Sequence, residues 1–325
     1  MTDKRIKNDQ WLVRVLMAKI NSGEIYKPKY QRKRKWDILP GKPKTPNEQD
    51  YIKFLYDTHN SVHAITFGCD GDKLSNIDGN NRINAIMHFL NKPFELFPEK
   101  LEPIKLSVEE SICIAVANQI EGILLKMNYD ELMSFKYKKY FIDKGYIELY
   151  ENHLQKSQVR DKLEDLFEKL GSQLKINGKY RFDDYVMINV NLFSGYSIDE
   201  LAEVFSKINK YDSGLTELEA LASKLFNITN FTIENRIIET CIKQSVKKYY
   251  DDRKKEEILD CYEYSELSDT INAYDFMIGF QNYCNEECNL IQKIDNDGLP
   301  LFFKLYKNIY RGCFEETFVN ENINN

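Results

Sequence analysis

Apolar positions along the chain change period several times, and each change predicts an element. Trp11, Leu12, Val15, Leu16 and Ile20 recur at helical spacing and Asn21-Ser-Gly23 supplies a stop, which predicts a first helix. Pro28 keeps the segment from Ile25 to Trp36 out of a regular helix. A loop rich in Pro and Lys follows from Leu39 to Pro46, and then Tyr51, Ile52, Phe54 and Leu55 predict a second helix. Ala64 to Asp70 reads as a strand, Asp70-Gly-Asp-Lys73 as a hairpin turn in which Gly71 tolerates positive φ, and Leu74 to Ile77 as the return strand. Directly after it, Asp78-Gly-Asn-Asn-Arg82 opens an amphipathic helix with Ile83, Ile86, Met87, Phe89 and Leu90 on its apolar side.

From about Phe94 to Gly178 the pattern is mostly helical, with a capping box expected at Ser107-x-x-Glu110 and a long charged helix from Gln158 to Leu170. A strand returns at Asp184 to Leu192, and further capping boxes at Ser197-x-x-Glu200 and Thr216-x-x-Glu219 start helices running to Ile208 and about Phe226. From Ile233 the pattern is helical to about Tyr310. The expected class is α+β: a small mixed sheet with flanking helices over 1–228, a helical insertion at about 94–178, and an all-helical accessory domain at 229–325.

Charge sharpens this picture locally. The net charge of −6 argues against a surface that grips nucleic acid everywhere, yet the N-terminal lobe holds a basic peak at Tyr30-Gln-Arg-Lys-Arg-Lys-Trp36. No apolar run approaches the ~20 residues of a membrane span, so no membrane partner is expected. The start has no apolar core of a secretory signal, which predicts a cytoplasmic or intracellular address and reduced thiols for the seven cysteines. Cys284-x3-Cys288 with Cys313 reads as buried thiols in preference to zinc ligands, because no His lies in that half of the chain.

Three segments carry candidate chemistry. Ile77-Asp-Gly-Asn-Asn-Arg82 places a strand, a glycine turn and a helix N-terminus in succession. The amides of Gly79, Asn80 and Asn81 would lie at the positive end of a helix, Arg82 would add a planar cation, and Asp78 would hold Mg2+ or orient a water. The bland alternative makes Asp78 the N-cap, Gly79 a tight turn and Arg82 a surface cation. In the basic peak, Lys33, Arg34, Lys35 and Trp36 would suit phosphate contact with base stacking, against the alternative of a solvated loop. In the third segment Asn209 either faces a ligand or caps the helix that it ends.

Together, Gly23-Glu-Ile-x-x-Pro-x-Tyr-Gln-Arg-x-x-x-Trp36, Ile77-Asp-Gly-x-x-Arg82, and Val204-Phe-x-x-Ile-Asn209 followed by Gly-Leu-Thr-x-x-Glu219 resemble, in order, the ParB/sulfiredoxin-fold domain at the N-terminus of GmrS-type modification-dependent restriction and DNA-defence proteins. The likeness runs roughly from Trp11 to Phe226 and is poor after Phe94. It implies a ParB/sulfiredoxin-like sheet and the binding, and hydrolysis, of a nucleoside triphosphate with Mg2+. Asp78 and Arg82 would be the catalytic pair, with Gln31, Arg32, Gly79, Asn80, Asn81, Arg82 and Asn209 around the nucleotide. The family motif usually reads Asp-Gly-Gln-Gln-Arg; here both Gln positions are Asn, which leaves phosphate binding through backbone amides and bears on the catalytic rate.

DNA is the expected further partner, and the C-terminal helices are expected to serve a protein partner or self-association. Two other functions stay open: a metal-dependent DNA-nicking nuclease of the same fold, and a catalytically inactive DNA- or protein-binding scaffold, which the two Asn replacements favour. None of His59, His63, His88 and His153 sits in a nuclease-like setting, so no such site is expected after Ile228.

Overall fold

The computed structural model describes residues 3–28, 36–40 and 46–212, and beyond these 240–241, 243–249, 251, 275 and 279. In chain order the elements are β1 (Arg5–Leu12), α1 (Val13–Asn21), β2 (Ile25–Tyr26), α2 (Glu48–Thr58), β3 (Ile65–Asp70), β4 (Lys73–Asp78) and α3 (Asn80–Asn91). A helical stretch follows: α4 (Pro93–Leu96), α5 (Glu102–Ser111), α6 (Ile114–Leu124), α7 (Tyr129–Met133), α8 (Tyr137–Asp143), α9 (Ile147–Leu149) and α10 (Ser157–Gln173), with a single turn of 3-10 helix after α4 and of π-helix after α9. Then come α11 (Phe182–Tyr185), β5 (Met187–Ser194) and α12 (Ile198–Asp212). The protein is therefore a mixed α+β chain, and none of its described helices is long and apolar enough to cross a membrane.

The five strands form one mixed sheet in the order β1-β5-β3-β4-β2. β1 and β5 are antiparallel, β5 and β3 parallel, β3 and β4 an antiparallel hairpin, and β4 and β2 parallel. The hairpin and α3 fall where the residue pattern puts them. The first strand does not: Arg5 to Leu12 pairs with β5 along its whole length, so Trp11 and Leu12 end a strand and the first helix begins at Val13. An edge strand exposed along most of its length needs no hydrophobic alternation, and Trp11 serves the core by stacking on Phe67 (5.6 Å between centroids, 15° between planes). Of the positions that the spacing picks out within α1, Leu16 and Ile20 are buried and Val15 is half-buried, and Val13, outside that spacing, is buried as well.

Two other boundaries move. Ser107 lies inside α5, which begins at Glu102 with Pro103 in its first turn; proline's fixed φ and missing donor suit that position better than a cap five residues later. The capping box of this stretch belongs to α7, where Asn128 accepts from the Glu131 amide (2.8 Å) and Glu131 accepts from the Asn128 amide (3.1 Å). Asp184 and Tyr185 belong to the short α11, so β5 starts at Met187. The box at Ser197 and Glu200 forms as its residues dictate (2.9 and 3.3 Å).

The sheet and the helices between α3 and β5 share one buried cluster. Phe89 of α3, fully buried, touches the rings of Phe182 (4.9 Å), Tyr129 (5.3 Å) and Phe97 (5.9 Å). Each such side chain contributes about 2 kcal/mol by leaving water. Tyr129 is buried without losing its hydroxyl bonds: it accepts from the Phe182 amide (2.8 Å) and donates to the Leu174 carbonyl (3.1 Å). α3 is thus locked along its middle, which fixes its two ends.

The chain divides into two compact units, the first built on Met1–Leu201 and the second opening with Ala202–Glu256. In the second, residues 240–241, 243–249 and 251 are helical and Val246 is buried. The boundary expected at 228, the cap at Thr216 and the cysteines at 284, 288 and 313 lie outside the described residues.

Candidate functional site

The corner where β4 hands over to α3 is specified by one glycine. Gly79 is the N-cap of α3 at φ +103°, and a β-carbon there would stand 2.9 Å from Ile65 of β3. Only glycine meets both demands, a left-handed backbone and a close approach to the neighbouring strand. Asp78 is therefore not the N-cap, and α3 begins with no side-chain cap bond at its positive end.

Arg82 is not a surface cation either. Its side chain is 13% exposed, and its guanidinium donates to Asp78 Oδ2 (2.6 Å) and to the backbone carbonyl of Ala64 (3.0 Å). The planar fork thus ties the start of α3 to the residues at either end of the β3–β4 hairpin. Asn80 is buried, and its Oδ1 accepts from Asn84 Nδ2 (3.0 Å), while Asn81 is half-buried. The Asn80 amide lies at the helix end where anions are favoured.

The end of the basic segment reaches this corner through α2. Glu48 and Gln49 amides donate to the carbonyls of Asp37 (2.9 Å) and Ile38 (3.1 Å), and the Asn47 side chain caps α2 by accepting from the Asp50 amide (2.8 Å). Trp36 then meets Tyr51 edge to face at 5.4 Å. The Tyr51 hydroxyl is buried and makes no hydrogen bond among the described residues. Burial pushes it up to about 12, against the pull of the nearby Arg82 charge, so it stays a neutral donor. Tyr51 looks in the sequence like one more apolar position of α2, and nothing in its spacing sets it apart.

Trp36, Tyr51, Asp78, Gly79 and Arg82 are therefore gathered in one neighbourhood. Gln31, Arg32, Lys33, Arg34 and Lys35 lie outside the described residues; Asn209 falls on α12, and its side chain is likewise outside them. Among the described residues no group of three or more His, Cys, Asp or Glu could hold a metal ion.

The opposite end of α3 carries a closed cluster. His88, 2% exposed, meets Glu48 Oε2 with Nδ1 (2.6 Å) and Glu95 Oε2 with Nε2 (2.9 Å), and Lys92 donates to Glu95 Oε1 (2.8 Å). Both ring nitrogens of His88 are thus engaged by carboxylates. Burial acts to raise Glu95, but the bonds from Lys92 and His88 outweigh it and hold the carboxyl below the usual range.

Compared with family models, with curated proteins and with solved structures, the chain matches none.

Proposed function

We propose that this chain binds a nucleoside triphosphate, as a ParB/sulfiredoxin-like protein acting in DNA processing or defence. The observation that carries the reading is the Asp78–Gly79–Arg82 corner: a helix N-terminus opened by a glycine, beside a guanidinium held in place from both sides. Amides at a helix start together with an oriented arginine are what phosphate oxygens require. The ordered motifs of the sequence and the docking of Trp36 beside Tyr51 support it.

In this reading the phosphates approach the amides of Gly79, Asn80 and Asn81, Arg82 turns part of its fork toward them, and Tyr51 supplies a neutral donor. The motif resemblance assigns Gln31, Arg32 and Asn209 to the same ligand. A single carboxylate, Asp78, fits the mode in which Mg2+ arrives with the phosphates, taking its other ligands from phosphate and water. Hydrolysis would use Asp78 to orient the attacking water. Lys33, Arg34, Lys35 and Trp36 extend the site toward a DNA backbone.

Calorimetric titration with nucleoside triphosphates in Mg2+ tests the reading. Micromolar binding by the wild type and its loss in Asp78→Ala and Arg82→Ala are expected; a wild type that takes up no nucleotide sinks it. The Asp78–Arg82 pair itself favours one rival, an inactive scaffold in which that pair only braces the corner. DNA binding that falls steeply with salt while no nucleotide is bound or hydrolysed would mark that rival.

A further inference from the structure

The sheet presents a second feature beside the corner, made by two strands far apart in the chain, with Gln10 and Asn189 separated by 179 residues. In the β1–β5 register Asn8 stands opposite Asn191 and Gln10 opposite Asn189. Residues two apart on a strand share a face, so these four carboxamides form a ladder on one side of the sheet. The other side carries Ile188, Val190 and Phe67 into the core. Farther along the ladder's own face the sheet is covered at Gly68, where a β-carbon would collide with Leu201. The ladder itself opens into a groove of about 520 Å³.

The lining of that groove has a definite chemistry. Gln10 Nε2 donates to Asn189 Oδ1 (2.8 Å), and Asn189 Nδ2 donates to the Ser61 carbonyl, which holds these amides in fixed orientation. Val62, 66% exposed, adds an apolar surface at the rim. Asp9 also borders the groove, but strand alternation turns its side chain to the opposite face, where it pairs with Lys7 (3.0 Å), so the ladder face offers carboxamides. A carboxamide pairs its oxygen with an exocyclic amino group and its amide hydrogen with the neighbouring ring nitrogen. Fixed carboxamides pair a donor with an acceptor, the pattern that matches the edge of a nucleobase.

The groove and the α3 corner meet at one residue. Ala64 lines the groove, and its carbonyl accepts from Arg82. We infer that the Asn8–Gln10–Asn189–Asn191 groove is the base-recognition subsite for the ligand whose phosphates occupy the α3 corner, and that it takes an amino-bearing nucleobase. This rests on the nucleotide-binding reading above. The phosphates lie toward Arg82, the sugar crosses Ala64, and the base lays its edge on the carboxamides with a ring face on Val62.

The test is calorimetry of the full chain with ATP, CTP, UTP and inorganic tripolyphosphate, for the wild type, Asn8→Ser and Asn191→Ser. Both side chains lie on the open face, and thermal unfolding of each variant confirms that it folds. The inference expects the wild type to prefer ATP or CTP to UTP. It expects each variant to bind the preferred nucleotide about tenfold more weakly, to lose that preference, and to hold tripolyphosphate as the wild type does. Variants that bind and discriminate like the wild type, or a wild type with no base preference, overturn the inference and leave the phosphate reading standing. A wild type that binds neither nucleotide nor tripolyphosphate overturns both.

Discussion

The two ends of α3 use the same kinds of residues to opposite effect. At the N-terminus a guanidinium meets a carboxylate and a carbonyl, 13% and 26% exposed for the Arg82 and Asp78 side chains; at the C-terminus an imidazole meets two carboxylates, 3% exposed for His88 and 0% for Glu48. The closed end takes Glu48 from α2 and Glu95 from α4, and so clamps three helices together. The open end braces a glycine corner and leaves a helix start without a side-chain cap. The His88–Glu48 pair is buried and reaches solvent only through Glu95 and Lys92; a buried pair of that kind serves stability, whereas one with an approach from solvent can exchange an internal partner for a ligand.

That contrast breaks or sharpens under substitution. The largest effect belongs to the closed end. His88→Ala, which strips the buried Glu48 and the partly exposed Glu95 of their shared partner, is expected to cost about 3 kcal/mol in urea unfolding, while nucleotide affinity per folded molecule stays unchanged. Gly79→Ala comes next, at about 2 kcal/mol, because alanine must adopt a strained backbone against Ile65. Arg82→Ala is expected to lose about 1.5 kcal/mol of stability, and unlike His88→Ala to abolish phosphate binding; Arg82→Lys keeps the charge but not the fork and should recover only part of either.

The smallest effect is acid-dependent. Glu95 is held below its ordinary value, so its contribution is complete above the unfolded value near 4.5 and fades as pH falls through the lower folded value. Glu95→Gln should therefore flatten the acid limb of a stability–pH curve and leave the neutral limb parallel to the wild type. An unchanged acid limb would remove Glu95 from the clamp.

What the sequence reveals of this arrangement follows from how local each part is. The β3–β4 hairpin and α3 are legible because a glycine turn, a β-branched run and a helical apolar face sit side by side in thirty residues. The Asp78–Arg82 corner is legible for the same reason, although only coordinates show Gly79 as the cap and Ala64 as the third partner. β1 is hidden, since an exposed edge strand carries no apolar alternation, and Trp11 and Leu12 extend the helical spacing of α1 backward by chance. Ser107 matches a capping box by residue type, but Pro103 fixes the helix start earlier.

The His88 clamp and the carboxamide groove are hidden because each depends on partners far away in the chain. His88 and Glu48 are forty residues apart, and Gln10 and Asn189 are separated by 179. One trace was present: Asn189-Val-Asn191 places amides at period two inside a β-branched run, and Asn8-x-Gln10 repeats the pattern. Amides on alternate positions of a strand put a polar stripe on one face, a hint that the face is not core.

The account's central claim is that the N-terminal end of α3 receives phosphate while the C-terminal end only holds the fold. A titration of the amide NMR spectrum with a magnesium nucleoside triphosphate tests it most directly. The account predicts saturable shifts at Gly79, Asn80, Asn81 and Arg82, with His88 and Glu95 unmoved. Saturable shifts confined to other regions, or none at any concentration, would contradict it.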